Sequence, residues 1–182
     1  MTDSGARSYR LNLNDPGTLD DLIRTYAEPL VRYAYCIIGT SSAAEDAMED
    51  AFAALIAGRY HFRSEPQLRA WLYRTTHNKA VDYIRRHKRE VPLCDVENVL
   101  QSADLEHQMA LQERNRIVYT CMQQLPVQYR EVLQLVYFDE FNIGEVCTIL
   151  RKSKKQVYNL LSRAKIALKD LLMKEGITRE EL

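Results

Sequence analysis

Apolar residues recur three and four positions apart along most of this chain, the spacing that lays them on one buried face of a helix. The first such stripe is Leu22, Ile23, Tyr26, Leu30, Tyr33, Ala34 and Ile37. It predicts a helix opened by Thr18 and Asp21 and ended by Gly39 after about Ile38. Ser42 and Glu45 then have the spacing of a capping box, in which two side chains satisfy free amides of a first turn. The helix they open buries Ala44, Ala47, Met48, Ala51, Phe52, Leu55 and Ile56, and it leaves Glu45, Asp46, Glu49 and Asp50 on other faces. Gly58 ends it, a loop follows, and Pro66 suits the first turn of a third helix reaching about Lys88. Leu68, Trp71, Leu72, Thr75, Ala80, Val81 and Ile84 supply that helix with its inward stripe.

From Glu90 to about Leu105 the periodicity fades around Pro92, which predicts a linker. Helical spacing resumes near Leu111 through Ile117, Val118, Cys121 and Met122. It breaks at Leu125-Pro126, because proline disfavours helical geometry in the residue before it. Val127 to about Phe138 forms the next helix, with Val132, Leu133 and Val136 inward. Asn142 and Glu145 cap a short helix through Leu150, and Arg151-Lys152 makes a turn. Ser153 and Gln156 then form a second box before a long helix carrying Val157, Leu160, Leu161, Ala164, Leu168, Leu171 and Leu172. A short helix, a tight turn and a longer basic helix make a helix-turn-helix. The architecture read from this pattern is all-α: two small helical domains, 18–90 and 110–175, joined by a flexible linker at 91–109.

Composition agrees with this reading, since 46% hydrophobic and 27% charged residues belong to a folded chain and six glycines and five prolines in 182 residues favour long helices. Charge changes the picture more. The total is zero, yet residues 59–90 hold nine basic and three acidic side chains and residues 151–174 hold eight and one, while residues 1–58 hold four and nine and residues 91–150 three and nine. Screening over about 8 to 10 Å makes a polyanion respond to the local patch, so a nucleic-acid partner is compatible with neutrality. No apolar run reaches signal-peptide or membrane-spanning length, which leads to the expectation of a cytoplasmic protein. Cys36, Cys94, Cys121 and Cys147 lack metal-ligand spacing. With no phosphate-binding glycine loop or nucleophile-base arrangement either, neither a metal, a cofactor nor enzyme activity is expected.

Two constellations carry chemistry. With Val157, Leu160, Leu161 and Ala164 inward, Lys154, Lys155, Gln156, Tyr158, Asn159, Ser162, Arg163 and Lys165 lie on the arc that a major groove would meet. Asn and Gln can address adenine, Arg and Lys guanine, and the first-turn amides phosphate. In the first half, Phe62, Trp71, Tyr73, His77 and Tyr83 are interleaved with arginines, a composition suited to unstacked bases, and the loop residues Phe62, Arg63 and Ser64 are the best ligand candidates. The acidic helix reads as a surface for a basic protein.

The segments Ala44-Glu-Asp-Ala-Met-Glu-Asp-Ala-Phe52, Leu68-Arg-Ala-Trp-Leu-Tyr-Arg-Thr-Thr-His-Asn78 and Asp82-Tyr-Ile-Arg-Arg86 resemble domain 2 of bacterial sigma factors of the extracytoplasmic-function group. Leu125-Pro126, Tyr129-Arg-Glu-Val-Leu133 and Leu161-Ser-Arg-Ala-Lys165 resemble domain 4. The resemblance implies a transcription initiation factor that binds core RNA polymerase and promoter DNA, duplex and melted, and that an anti-sigma factor sequesters. It implies polymerase binding through Asp46, Glu49 and Asp50, and capture of a flipped minus 10 base by the loop at Phe62 to Gln67, with Phe62, Arg63 and Ser64 as its candidate contacts. It places Asn78, Asp82, Arg85 and Arg86 along the minus 10 strand, and Lys154, Lys155, Gln156, Tyr158, Asn159 and Arg163 on the minus 35 element. The turn Arg151-Lys152 departs from the family pattern, where a small residue or glycine is usual. A sigma mimic that titrates an anti-sigma factor, and a helix-turn-helix regulator independent of polymerase, are the rival readings.

Overall fold

The computed structural model describes residues 16–58, 60–87 and 116–176, and among these every regular element is helical. The fold divides into two compact units, one carrying the first three helices and the other centred on the helices after residue 115. The predicted linker at 91–109 lies outside the described residues, as do Cys94, Lys88 and Arg89.

In the first unit, α1 (Pro16–Ile38), α2 (Ser41–Ala57) and α3 (Glu65–His87) each pack on the other two. The α1 stripe is as predicted at Leu22, Tyr26, Leu30, Tyr33, Ala34 and Ile37, but Ile23 is exposed. Thr18 lies inside α1, whose first turn begins before it, so it does not cap the helix. Gly39, at φ +87°, ends α1 in the left-handed geometry that glycine adopts without strain. The predicted box at Ser42 and Glu45 does not form. Burial of Ala43 and Ala44 sets the register, the helix begins at Ser41, and the Ala44 amide bonds the Thr40 carbonyl. On α3 the inward face is Leu68, Ala70, Leu72, Tyr73, Thr76 and Ala80; Trp71, Thr75, Val81 and Ile84 are half-buried, because α3 is covered by α1 and α2 along a line rotated from the predicted stripe.

The second unit contains α4 (116–123 in its described part), α5 (Val127–Leu133), α6 (Ile143–Leu150) and α7 (Lys154–Lys174). The Arg130 guanidinium donates to the Gln123 carbonyl at 2.9 Å and to its side chain at 3.1 Å, holding a cation at the C-terminal end of α4, where carbonyls lack partners. The helix expected to run to Phe138 changes character at Gln134–Phe138, which is a π turn. Gln134 Nε2 donates to Asp139 Oδ2 at 3.3 Å and the Asp139 amide returns to the Gln134 carbonyl at 2.9 Å, so the wider turn pairs two buried polar groups. It also leaves Leu135 buried and turns Tyr137 and Phe138 outward.

Cys121 and Leu172 form the fully buried centre of a cluster completed by Ile117, Val118, Leu168 and Leu171. Burial, with the Glu175 charge adding to it, pushes the Cys121 thiol above its ordinary range. The folded state thus keeps its proton to higher pH than the unfolded state. The stability linked to it is present below the ordinary thiol range and is lost as pH rises from there through the raised folded value. Alkylation at neutral pH should label half-buried Cys147 ahead of Cys121, which should react only on unfolding; equal native rates would contradict this placement.

Candidate nucleic-acid interface

Three charged surfaces emerge from this packing. On α2, Asp46, Glu49 and Asp50 are all exposed, with Asp46 one turn before the other two. Asp50 is not a solitary anion: Lys79 of α3 donates to its Oδ2 at 3.0 Å. Both partners are more than 40% exposed, so the pair contributes at most about 1 kcal/mol and can be exchanged for another partner.

On α3, Asn78, Asp82, Arg85 and Arg86 recur at four, three and one positions, which puts them along one side of the helix. Arg85 donates to Asp82 at 3.2 Å, so the carboxylate amid these cations orients an arginine. Arg63 and Ser64 are exposed in the loop before α3, and the Gln67 side chain accepts the Arg63 amide at 2.7 Å. Phe62 is placed differently from a ring that is open to stack: it is 8% exposed, with its edge against Trp71 at 5.8 Å. The other interleaved aromatics are also engaged. Tyr73 is buried against Tyr33 at 5.2 Å, His77 meets the Tyr33 hydroxyl, and Tyr83 stacks on His87 at 4.2 Å. The exposed aromatic of this loop is Tyr60, which the sequence pattern did not single out; its neighbour in space, Trp71, is eleven positions away.

In the second unit both predicted capping boxes form. Asn142 and Glu145 close the start of α6, and Ser153 and Gln156 that of α7. Between them Arg151 adopts φ +52°, the left-handed geometry that explains why a glycine suits this turn. Val157, Leu161 and Ala164 are buried, which leaves Lys154, Lys155, Gln156, Tyr158, Asn159 and Arg163 exposed on the arc expected for them. Gln156 is restricted, since its Oε1 accepts the Ser153 amide at 2.8 Å, which ties the side chain to the cap and leaves that oxygen one free lone pair. Gln128 of α5 and Lys152 of the turn join Gln156, Asn159 and Arg163 around a shallow groove. Neither was a sequence candidate; Gln128 is brought to α7 by tertiary packing, while Lys152 adjoins its cap in the chain.

Fold and surface together define a two-unit helical protein with a helix-turn-helix in its second unit and no helix, among the described residues, long and apolar enough to cross a membrane. The family profile Sigma-70 region 2 matches residues 7–90, and Sigma-70 region 4 matches residues 115–168. The chain belongs to the sigma-70 family, in its extracytoplasmic-function (ECF) group. It is 29% identical over 160 residues to the ECF RNA polymerase sigma factor SigM of Bacillus subtilis, covering 85% of this chain and 94% of that one. It is also 29% identical over 158 residues to the ECF RNA polymerase sigma factor SigM of Mycobacterium tuberculosis, covering 87% and 79%. Among solved structures, CnrH in complex with the cytosolic domain of CnrY matches with a TM-score of 0.62 at 21% identity, over 88% of this chain and 90% of that one. The sigma factor RpoE in complex with the anti-sigma factor NepR from Bartonella quintana matches at 0.64 and 18%, over 85% and 96%. At these identities the two structures show the shared fold.

The cap of α7 gives a direct test of how this surface is held. Ser153→Ala removes the acceptor for the Gln156 amide and should lower the stability of the helix-turn-helix unit by about 1 kcal/mol in a denaturant melt. An unchanged midpoint would show that the box does not hold α7.

Proposed function

We propose that this chain is a transcription initiation factor that joins core RNA polymerase in the cytoplasm and directs it to particular promoters, acting as a regulatory subunit and not as an enzyme. The single observation that carries the reading is the pairing, in one chain, of two differently built basic surfaces with an acidic helix. The α3 side chains and the loop before them suit a separated strand, the α7 arc suits a duplex groove, and Asp46, Glu49 and Asp50 suit a basic face of the polymerase. Opening a promoter calls for all three.

In this reading Arg63 and Ser64 receive an unpaired minus 10 base, while Phe62 is the wall behind it. Asn78, Arg85 and Arg86 follow the strand, with Asp82 orienting Arg85. Lys154, Lys155, Tyr158, Asn159 and Arg163 meet the minus 35 element, joined by Lys152 and Gln128 at the groove. Gln156 serves first as the cap and second as a donor. The domains proposed are 18–90 for polymerase and minus 10 binding and 110–175 for minus 35 binding, with 91–109 between them. An anti-sigma factor is the natural regulator, since CnrH was solved with the cytosolic domain of CnrY and RpoE with the anti-sigma factor NepR. The exposed cations at Arg85, Arg86, Lys154 and Lys155 argue against a mimic that only titrates such a factor, because a mimic has no use for them.

Holoenzyme rebuilt from core polymerase and this chain should initiate on genomic DNA at start sites that core polymerase ignores. Charge reversal at Arg85, Arg86, Lys154 and Lys155 should remove those starts while leaving polymerase binding in place. Start sites that persist in the reversed variant would overturn the reading, as would a wild-type holoenzyme with no new starts.

A further inference from the structure

The loop between α2 and α3 is anchored by an aromatic seat whose outermost member rests on a glycine. Gly58, at φ −90° and ψ 154°, has backbone geometry open to any residue, so conformational freedom does not explain it. Space does. A Cβ built at Gly58 falls 1.9 Å from Cε2 of Tyr60 and 2.6 Å from its Cδ2 and Cζ, because the Tyr60 ring lies on the Gly58 backbone. From there Tyr60 meets Trp71 of α3 at 4.5 Å between ring centroids and Phe62 at 6.1 Å. Tyr60 is nonetheless 43% exposed, so it is an outer layer of the stack and not part of the unit's core.

Two further ties hold the same loop. Gln67 accepts the Arg63 amide at 2.7 Å, and the Tyr26 hydroxyl of α1 donates to Glu65 at 2.9 Å where α3 begins. Between the ring seat and these ties only His61, Arg63 and Ser64 stand clear in the loop as exposed side chains.

We infer that Gly58 and Tyr60 are positioning residues. The Tyr60 ring, seated on Gly58 and against Trp71, sets the loop 61–64 in the conformation that receives an unpaired base. This deepens the function proposed above and rests on it. A loop already fixed in its binding shape loses less entropy when a ligand enters, and this preorganisation strengthens binding without adding a contact. Tyr60 need not touch the base, and Gly58 cannot. An added methyl at Gly58 meets the movable ring of Tyr60, so it displaces the ring while leaving α2 and the core intact.

Trp71 is the only tryptophan in the chain, so its fluorescence reports on the seat directly. Gly58→Ala and Tyr60→Ala should both make Trp71 easier to quench in the full chain while helical circular dichroism is retained, and Tyr60→Phe should match wild type. In holoenzyme, on the strongest promoter found by start-site mapping, the two alanine variants should slow strand opening by about fivefold or more, the low end of what one stacked base contributes. Polymerase affinity should stay within about twofold, the scatter usual for a surface change, and Tyr60→Phe should open at the wild-type rate. Opening at the wild-type rate in both alanine variants, or a loss matched by weaker polymerase binding or lost helicity, overturns the inference. A wild-type holoenzyme that opens no promoter overturns instead the functional reading beneath it.

Discussion

Burial of one line of α3 against α1 and α2 governs much of what the first unit can present. Leu68, Leu72, Thr76 and Ala80 are wholly enclosed and Tyr73 nearly so. With those residues inward, the helical repeat leaves Asn78, Arg85 and Arg86 facing outward and places the start of α3, with Gln67, beneath the loop that precedes it. The second unit works by the same constraint. Val157, Leu161 and Ala164 enter its core, and Tyr158, Asn159 and Arg163 are exposed because the helix has no other face for them. Hydrophobic burial, which does not itself distinguish one ligand from another, thereby decides which polar groups remain on the surface.

Electrostatics then separates the tasks. A chain of zero net charge still presents two cationic surfaces and an anionic one on α2, because like charges are grouped along the sequence. The Lys79–Asp50 pair joins the anionic helix to the cationic one at an exchangeable contact. Within the cationic surfaces the anions present have local duties: Asp82 orients Arg85, and in the helix-turn-helix unit Glu145 completes a cap.

The sequence was most legible where the physics is local. The boxes at Asn142 and Ser153 join residues three apart, and both form as read. The exposed acidic face of α2 and the exposed arc of α7 follow from a single repeat. Legibility fell where tertiary packing chose between local options. Ser42 and Glu45 have the right spacing, yet burial of Ala43 and Ala44 starts the helix earlier and leaves that box unused. The π turn at Gln134–Phe138 depends on pairing Gln134 with Asp139, which no hydrophobic repeat announces. Phe62 read as an open ring because it sits in a loop among cations; Trp71, nine positions on, encloses it. Gln156 shows a third case, in which both roles were visible in the sequence and only the geometry shows that its side-chain oxygen is tied to the cap.

The central claim is that the two basic surfaces address DNA in different physical states. Photocrosslinkers placed at positions 63 and 159 of the full chain, in holoenzyme on one mapped promoter, test it most directly. The account predicts that position 159 crosslinks to duplex DNA before and after opening, whereas position 63 crosslinks only once the strands separate and then to one strand. Crosslinking from position 63 to closed duplex at the same yield as to opened DNA would contradict it.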